Sequence, residues 1–147
     1  MLWIKLEVRV LESKEDEKKR NLRCYFCLKQ LNMKKKNAVI VCTYLPKHIA
    51  AITLYPFIIY KEASFAKDPI LVNHERIHLK QQLELLILPF YLWYGIEFLV
   101  RLLFLQDKRK AYRAISFEKE AYANEANLLY VKQRKAYSFL KYLFKNP

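Results

Sequence analysis

Apolar and polar positions alternate from residue 2 to residue 11, with Ile4, Leu6, Val8 and Val10 on one side and Lys5, Glu7 and Arg9 on the other. A period of two predicts a half-buried strand. Residues 13–21 are almost wholly polar and read as a turn, and residues 23–31 return as a second strand before Lys34-Lys35-Lys36. Met33 and the three lysines have the texture of an internal start. Residues 1–32 are therefore read as a dispensable extension or β-hairpin, and residues 33–147 as a single domain. Residues 38–44 and 50–60 are rich in Val, Ile, Thr, Tyr and Phe and predict further strands. Pro56 lies inside the second run, and because proline cannot donate to a ladder it predicts an edge strand or a bulge there.

Beyond residue 68 the apolar period lengthens to three or four. Asp68 as N-cap and Pro69 in the first turn predict a helix from 69 to about 88, with Pro89 either opening a new helix or kinking the old one. After the charged break at 107–110 a third helix carries Ala111, Ala114, Ile115, Ala121, Leu128 and Leu129. The expectation is an α+β protein, a small N-terminal β-sheet followed by one motif-bearing helix and two further long helices. Residues 83–105 are as apolar and as long as a bilayer-spanning helix, yet they hold Glu84, Pro89, Glu97 and Arg101. Glu97 and Arg101 stand at i,i+4 spacing and neutralise each other. A buried or interfacial helix and a true span both remain open for this segment.

Composition narrows the function classes. A single glycine, Gly95, in 147 residues excludes Walker loops, dinucleotide fingerprints and EF-hand loops, all of which need glycine at fixed places. Lys and Arg number 27 against 14 acidic residues, a formal charge of +13, which favours an anionic membrane surface or a nucleic acid as partner. The 15% of aromatic residues stand mostly in apolar runs such as Phe90-Tyr91-Leu92-Trp93-Tyr94, which favours packing over base stacking and makes nucleic acid the weaker partner. Cys24, Cys27 and Cys42 form no disulfide framework, and the lone CxxC reads as ordinary cysteines in a reducing compartment. Lys5, Glu7 and Arg9 interrupt the first apolar stretch, so no cleavable signal is expected there. The expected location is the cytoplasm, with membrane association through residues 83–105.

The chemistry lies in His74-Glu75-Arg76-Ile77-His78, an HExxH pattern in the middle of the 69–88 helix. Spacing of i,i+4 places both imidazoles on one face, one turn apart, where they can bind one metal ion, with Glu75 beside them as base for a metal-activated water. From composition, chance produces this pattern with a probability on the order of 0.004. A catalytic zinc takes three protein ligands. His48 precedes the motif at a spacing that does not recommend it. Glu118 falls on the apolar stripe of the third helix, whereas Glu120 points roughly 200° away, so Glu118 is favoured as third ligand and Glu120 is the alternative. A buried ion pair between Glu118 and a base such as Arg76 is the competing reading. Glu125, on the same stripe, is the candidate acceptor that fixes an imidazole tautomer.

Together, His74-Glu75-Arg76-Ile77-His78 and Glu118-Lys119-Glu120-Ala121-Tyr122 resemble the gluzincin branch of zinc metallopeptidases, and most closely small bacterial zincin-like proteins of unassigned function. The resemblance covers about residues 50–130. It implies a zincin-like fold with Zn2+ on His74, His78 and Glu118, Glu75 as general base, and a peptide or protein substrate lying along the strand before the HExxH helix. Many gluzincins carry Asp four residues after the ligand glutamate, where this chain has Tyr122. The function expected is a zinc-dependent metallopeptidase-like hydrolase, with an oxyanion donor from Tyr112, Tyr122 or Tyr130. The alternatives are a basic helical protein binding nucleic acid or anionic membrane, and a metal-binding pseudoenzyme.

Overall fold

A computed structural model describes residues 38–46 and 49–144. They belong to two compact units that meet in sequence at Asp68 and Pro69. The strands read from 2–11 and 23–31, the 1–32 extension, Cys24, Cys27 and His48 lie outside the described residues.

The first unit carries a three-stranded sheet of β1 (Ala38–Val41), β2 (Ala51–Leu54) and β3 (Phe57–Tyr60), in the order β1-β3-β2. β3 runs parallel to β1 and antiparallel to β2. The register sets Ala51 opposite Tyr60 and Thr53 opposite Ile58. All four are buried, so one face of the β2–β3 pair is covered, as a side-chain period of two requires. The 50–60 run is thus two strands rather than one. Pro56 sits in the turn between them, where no ladder hydrogen bond is asked of it. The expected edge is corrected with it: β3, the strand before the HExxH helix, is central among the described residues and has both sides paired.

The second unit is helical. Its first helix, α1 (Pro69–Leu85), has no internal proline or glycine and carries four Leu, two Gln and two Glu, all good helix formers. It ends three residues earlier than the sequence suggests, because the ring of Pro89 would clash with the Leu85 carbonyl if the helix continued. Leu86 takes φ 62° and ψ 153°, and α2 (Ile87–Leu105) starts with Pro89 in its first turn, where a missing N–H is tolerated. Gln106, at φ 52°, closes α2 by donating its N–H to the Leu102 carbonyl at 2.8 Å. Asp107 then caps the next helix, accepting from the N–H groups of Arg109 at 2.8 Å and Lys110 at 3.0 Å.

In place of one long third helix the chain forms α3 (Lys108–Ala114), α4 (Ser116–Asn124) and the short α5 (Tyr130–Gln133). The break falls at Ile115, which is extended at φ −61° and ψ 134°. Its cause is tertiary. Glu97 of α2 accepts from the Ser116 N–H at 2.9 Å and from its hydroxyl at 2.7 Å, so a carboxylate from another helix caps α4 at its start. Arg101 does stand beside Glu97 as the spacing suggests, but at 3.5 Å. Leu128 and Leu129, expected on the buried stripe, are exposed. A 3-10 turn at Ser138–Tyr142 returns Phe139 to the core, where it meets Phe117 at 4.4 Å and Phe117 in turn meets Phe90 at 4.7 Å between ring centroids. This aromatic core ends next to Glu118.

Candidate metal centre

α1 presents His74 and His78 one turn apart, and both are fully buried. Their Nε2 atoms approach to 3.0 Å. Glu118, in the first turn of α4, lies across from them, with Oε2 at 3.6 Å from His74 Nε2 and Oε1 at 3.4 Å from His78 Nε2. With one donor atom taken per residue, the three donors lie within 4.8 Å of one another. Tetrahedral zinc with bonds of 2.0–2.2 Å sets its ligand atoms roughly 3.4 Å apart. The donor spacings bracket that value, so this buried group could hold a metal ion.

Hydrogen bonds on the far sides of the rings fix the chemistry of the near sides. His74 Nδ1 meets Glu125 Oε2 at 2.7 Å, and a carboxylate there can only accept. His78 Nδ1 meets Gln81 Oε1 at 2.8 Å. Gln81 is oriented by its own amide, whose NH2 donates to the Phe117 carbonyl at 3.1 Å and to Glu120 Oε2 at 3.0 Å, so its oxygen must face His78. Both Nδ1 atoms are therefore donors, and in the neutral rings both Nε2 atoms carry lone pairs. Two lone pairs 3.0 Å apart facing a buried carboxylate demand a cation between them, a metal ion or a proton.

The electrostatics agree. Burial alone would lower the His74 pKa, but hydrogen bonds with Glu118 and Glu125, aided by the charges of Glu118 and Glu75, push it up from 6.5 to about 9. Burial alone would raise Glu118, but the His78 charge and the hydrogen bonds with both imidazoles hold it well below the usual carboxylate range. Without metal, the His74 proton stabilises the fold fully below pH 6.5, and that contribution is lost as pH rises through about 9. The Glu118 contribution is present above pH 4.5 and is lost as pH falls below it. Metal uptake must expel the His74 proton. Apparent affinity is then expected to rise about tenfold per pH unit up to about pH 9 and level off above, with about one proton released per ion. Calorimetry in buffers of different ionisation enthalpy measures the proton count directly, and no release at pH 7 would refute a protonated cluster.

Three tyrosines line the carboxylate side. Tyr94 of α2 donates to Glu118 Oε1 at 2.9 Å. Burial first, and then the Glu118 charge, keep the Tyr94 and Tyr112 hydroxyls protonated far above the usual phenol range. Tyr122 packs its ring edge-on to His74 at 4.9 Å, beneath the Arg113 guanidinium at 4.7 Å. Tyr130 is directed elsewhere, to Glu120 Oε1 at 2.8 Å. Glu75 is buried next to His74 on α1.

Comparison with known protein families, characterised proteins and solved structures found no match to this chain. His74, His78 and Glu118 come together, and Glu125 meets a ring nitrogen as its place on the stripe suggests. Glu118 has the two imidazoles and Tyr94 as partners, and no ion pair to Arg76 or to another Lys or Arg is found among the described residues. Glu120 does point away, but it is fully buried rather than solvated, held by Arg134 and Tyr130. Sequence reasoning misses Gln81 and Tyr94. Gln81 sits at i+3 from His78, on the same face of α1, a spacing that could have marked it. Tyr94 shares a face of α2 with Phe90 and Glu97, the three residues of that helix that are buried.

Proposed function

We propose that the protein is a zinc-dependent hydrolase of amide or peptide bonds. The observation that carries this reading is the pair of Nε2 atoms converging with Glu118, a donor set of two imidazoles and one carboxylate, which is the number of protein ligands that a catalytic zinc takes. Zinc held by His74, His78 and Glu118 would supply a Lewis acid for the carbonyl oxygen and would bring the pKa of a water toward 7. Glu75 accepts the proton of the attacking water and returns it to the leaving nitrogen. Glu125 and Gln81 hold the rings in the tautomer that offers Nε2. Tyr94 steadies the Glu118 carboxylate, and Tyr112, whose buried hydroxyl stays protonated beside the same carboxylate, is the tyrosine assigned to an oxyanion. At Tyr122, where many gluzincins have Asp, an aromatic ring packs on His74, and the carboxylate that serves His74 comes instead from Glu125.

Two measurements test the proposal. Protein purified without added metal should contain one zinc per chain. Glu75→Gln should keep that zinc while losing about 10²–10⁴-fold in cleavage of an unstructured peptide library. One zinc in the wild type with no hydrolysis, unchanged in Glu75→Gln, would make the chain a metal-binding pseudoenzyme. Absence of zinc would remove the hydrolase reading altogether.

A further inference from the structure

α2 buries only one side. Phe90, Tyr94 and Glu97 face inward, while Leu88, Leu92, Ile96, Leu99 and Leu103 are exposed, Leu88 at 81% and Leu103 at 78%. With 3.6 residues per turn these five span roughly 80° of the helix, and Val100, Trp93 and Phe104, also exposed, widen the apolar strip to roughly 160°. A groove of about 810 Å³ joins it to Leu143 and Phe144, the latter 89% exposed. Contiguous exposed apolar surface of this kind marks a contact with something apolar.

Charge indicates what that contact is. The chain carries a formal +13. Lys108, Arg109 and Lys110 stand exposed directly after α2, Arg113 follows one turn on, and Lys141 is exposed one turn before Phe144. Among the acidic side chains of this unit, Glu75, Glu97, Glu118 and Glu120 are all buried, so the charge left facing outward is chiefly basic. A second copy would set basic segments against basic segments, whereas an anionic lipid surface neutralises them. The apolar strip is also wider than the narrow seam two paired helices share.

By length and composition α2 is also sufficient to cross a bilayer. Its inner face argues against that. Glu97 caps α4 through Ser116, Tyr94 donates to Glu118, and Arg101 donates to the Leu143 carbonyl at 2.6 Å. A spanning helix would have to give up these bonds. We propose that α2 lies in the plane of an anionic bilayer surface, its outer face embedded at the level of the upper acyl chains and the 108–113 basic cluster among the headgroups.

Vesicle co-sedimentation of the full chain tests this. Wild type should pellet with vesicles containing phosphatidylglycerol, at least tenfold more than with phosphatidylcholine alone, and 0.5 M salt should weaken the binding. Leu92→Glu/Leu103→Glu, which changes only exposed positions, should reduce binding at least tenfold with circular dichroism unchanged. Lys108→Glu/Lys110→Glu should abolish the preference for anionic lipid. Wild type left in the supernatant with phosphatidylglycerol vesicles would overturn the proposal. So would a dimer that Leu92→Glu/Leu103→Glu converts to monomer with no change in vesicle binding, since the face would then be an interface between copies. Resistance of bound protein to carbonate extraction would overturn the in-plane placement in favour of a span. None of these readouts depends on the metal centre.

Discussion

Glu118→Gln should leave a folded protein that no longer retains metal. Glutamine keeps the volume of the side chain and an acceptor for Tyr94, whose bond to Oε1 is 2.9 Å, so the packing around α4 survives. The charge that faces both Nε2 atoms is removed, and two imidazoles alone do not hold zinc tightly. The loss of affinity should exceed about 100-fold, the upper end of the cost of losing only a hydrogen-bond partner of a ligand. Glu125→Ala and Gln81→Ala supply that comparison: each frees one Nδ1 and should cost about 10–100-fold. Equilibrium dialysis against zinc, with His74→Ala as the reference for a lost ligand, ranks the series. If Glu118→Gln holds one ion per chain while His74→Ala holds none, the third ligand is another residue.

How much of this centre is legible in the sequence depends on the range of each interaction. His74 and His78 are readable because helical geometry is local: four residues return a side chain to the same face wherever the helix goes. Glu118 and Glu125 are readable at one remove, since a carboxylate on a buried stripe needs a cation or a donor. The break at Ile115 is not readable. Nothing around residue 115 ends a helix, and the cause, the Glu97 carboxylate, lies 19 residues before Ser116 on another element. The division of the 50–60 run is within reach, because Pro56 fits a turn as well as it fits an edge. For α2 the composition leaves burial and exposure equally open, and only the side-chain partners of Glu97 and Tyr94 assign its two faces.

The least legible feature is the polar network behind His78, and the largest change in stability is expected there. Glu120, fully buried, is gripped by Arg134, which meets both of its oxygens, and by Tyr130, while Arg134 also pairs with Glu84 of α1. The same Glu120 accepts from Gln81, which orients His78. From the helical projection alone Glu120 points away from the metal ligands, and Glu120→Ala would be expected to behave like wild type. The structure reverses that expectation, because a residue that faces away from one centre can face into another. Arg134→Ala should destabilise the fold by about 3–5 kcal/mol, since it leaves the Glu120 charge buried and uncompensated. Glu120→Ala should cost less than Arg134→Ala, because the guanidinium, whose side chain is 1% exposed, keeps its pair with Glu84. Replacing both, as in Glu120→Leu/Arg134→Met, should restore most of the loss, because an apolar pair of similar volume removes the desolvation penalty together with the attraction. Urea denaturation of the metal-free protein gives all three values. Single variants within about 1 kcal/mol of wild type would mean that water reaches the pair, as for exposed ion pairs. The double variant carries a second prediction: with Glu120 gone, Gln81 loses one of the two acceptors that orient its amide, so metal affinity should fall even where stability is recovered.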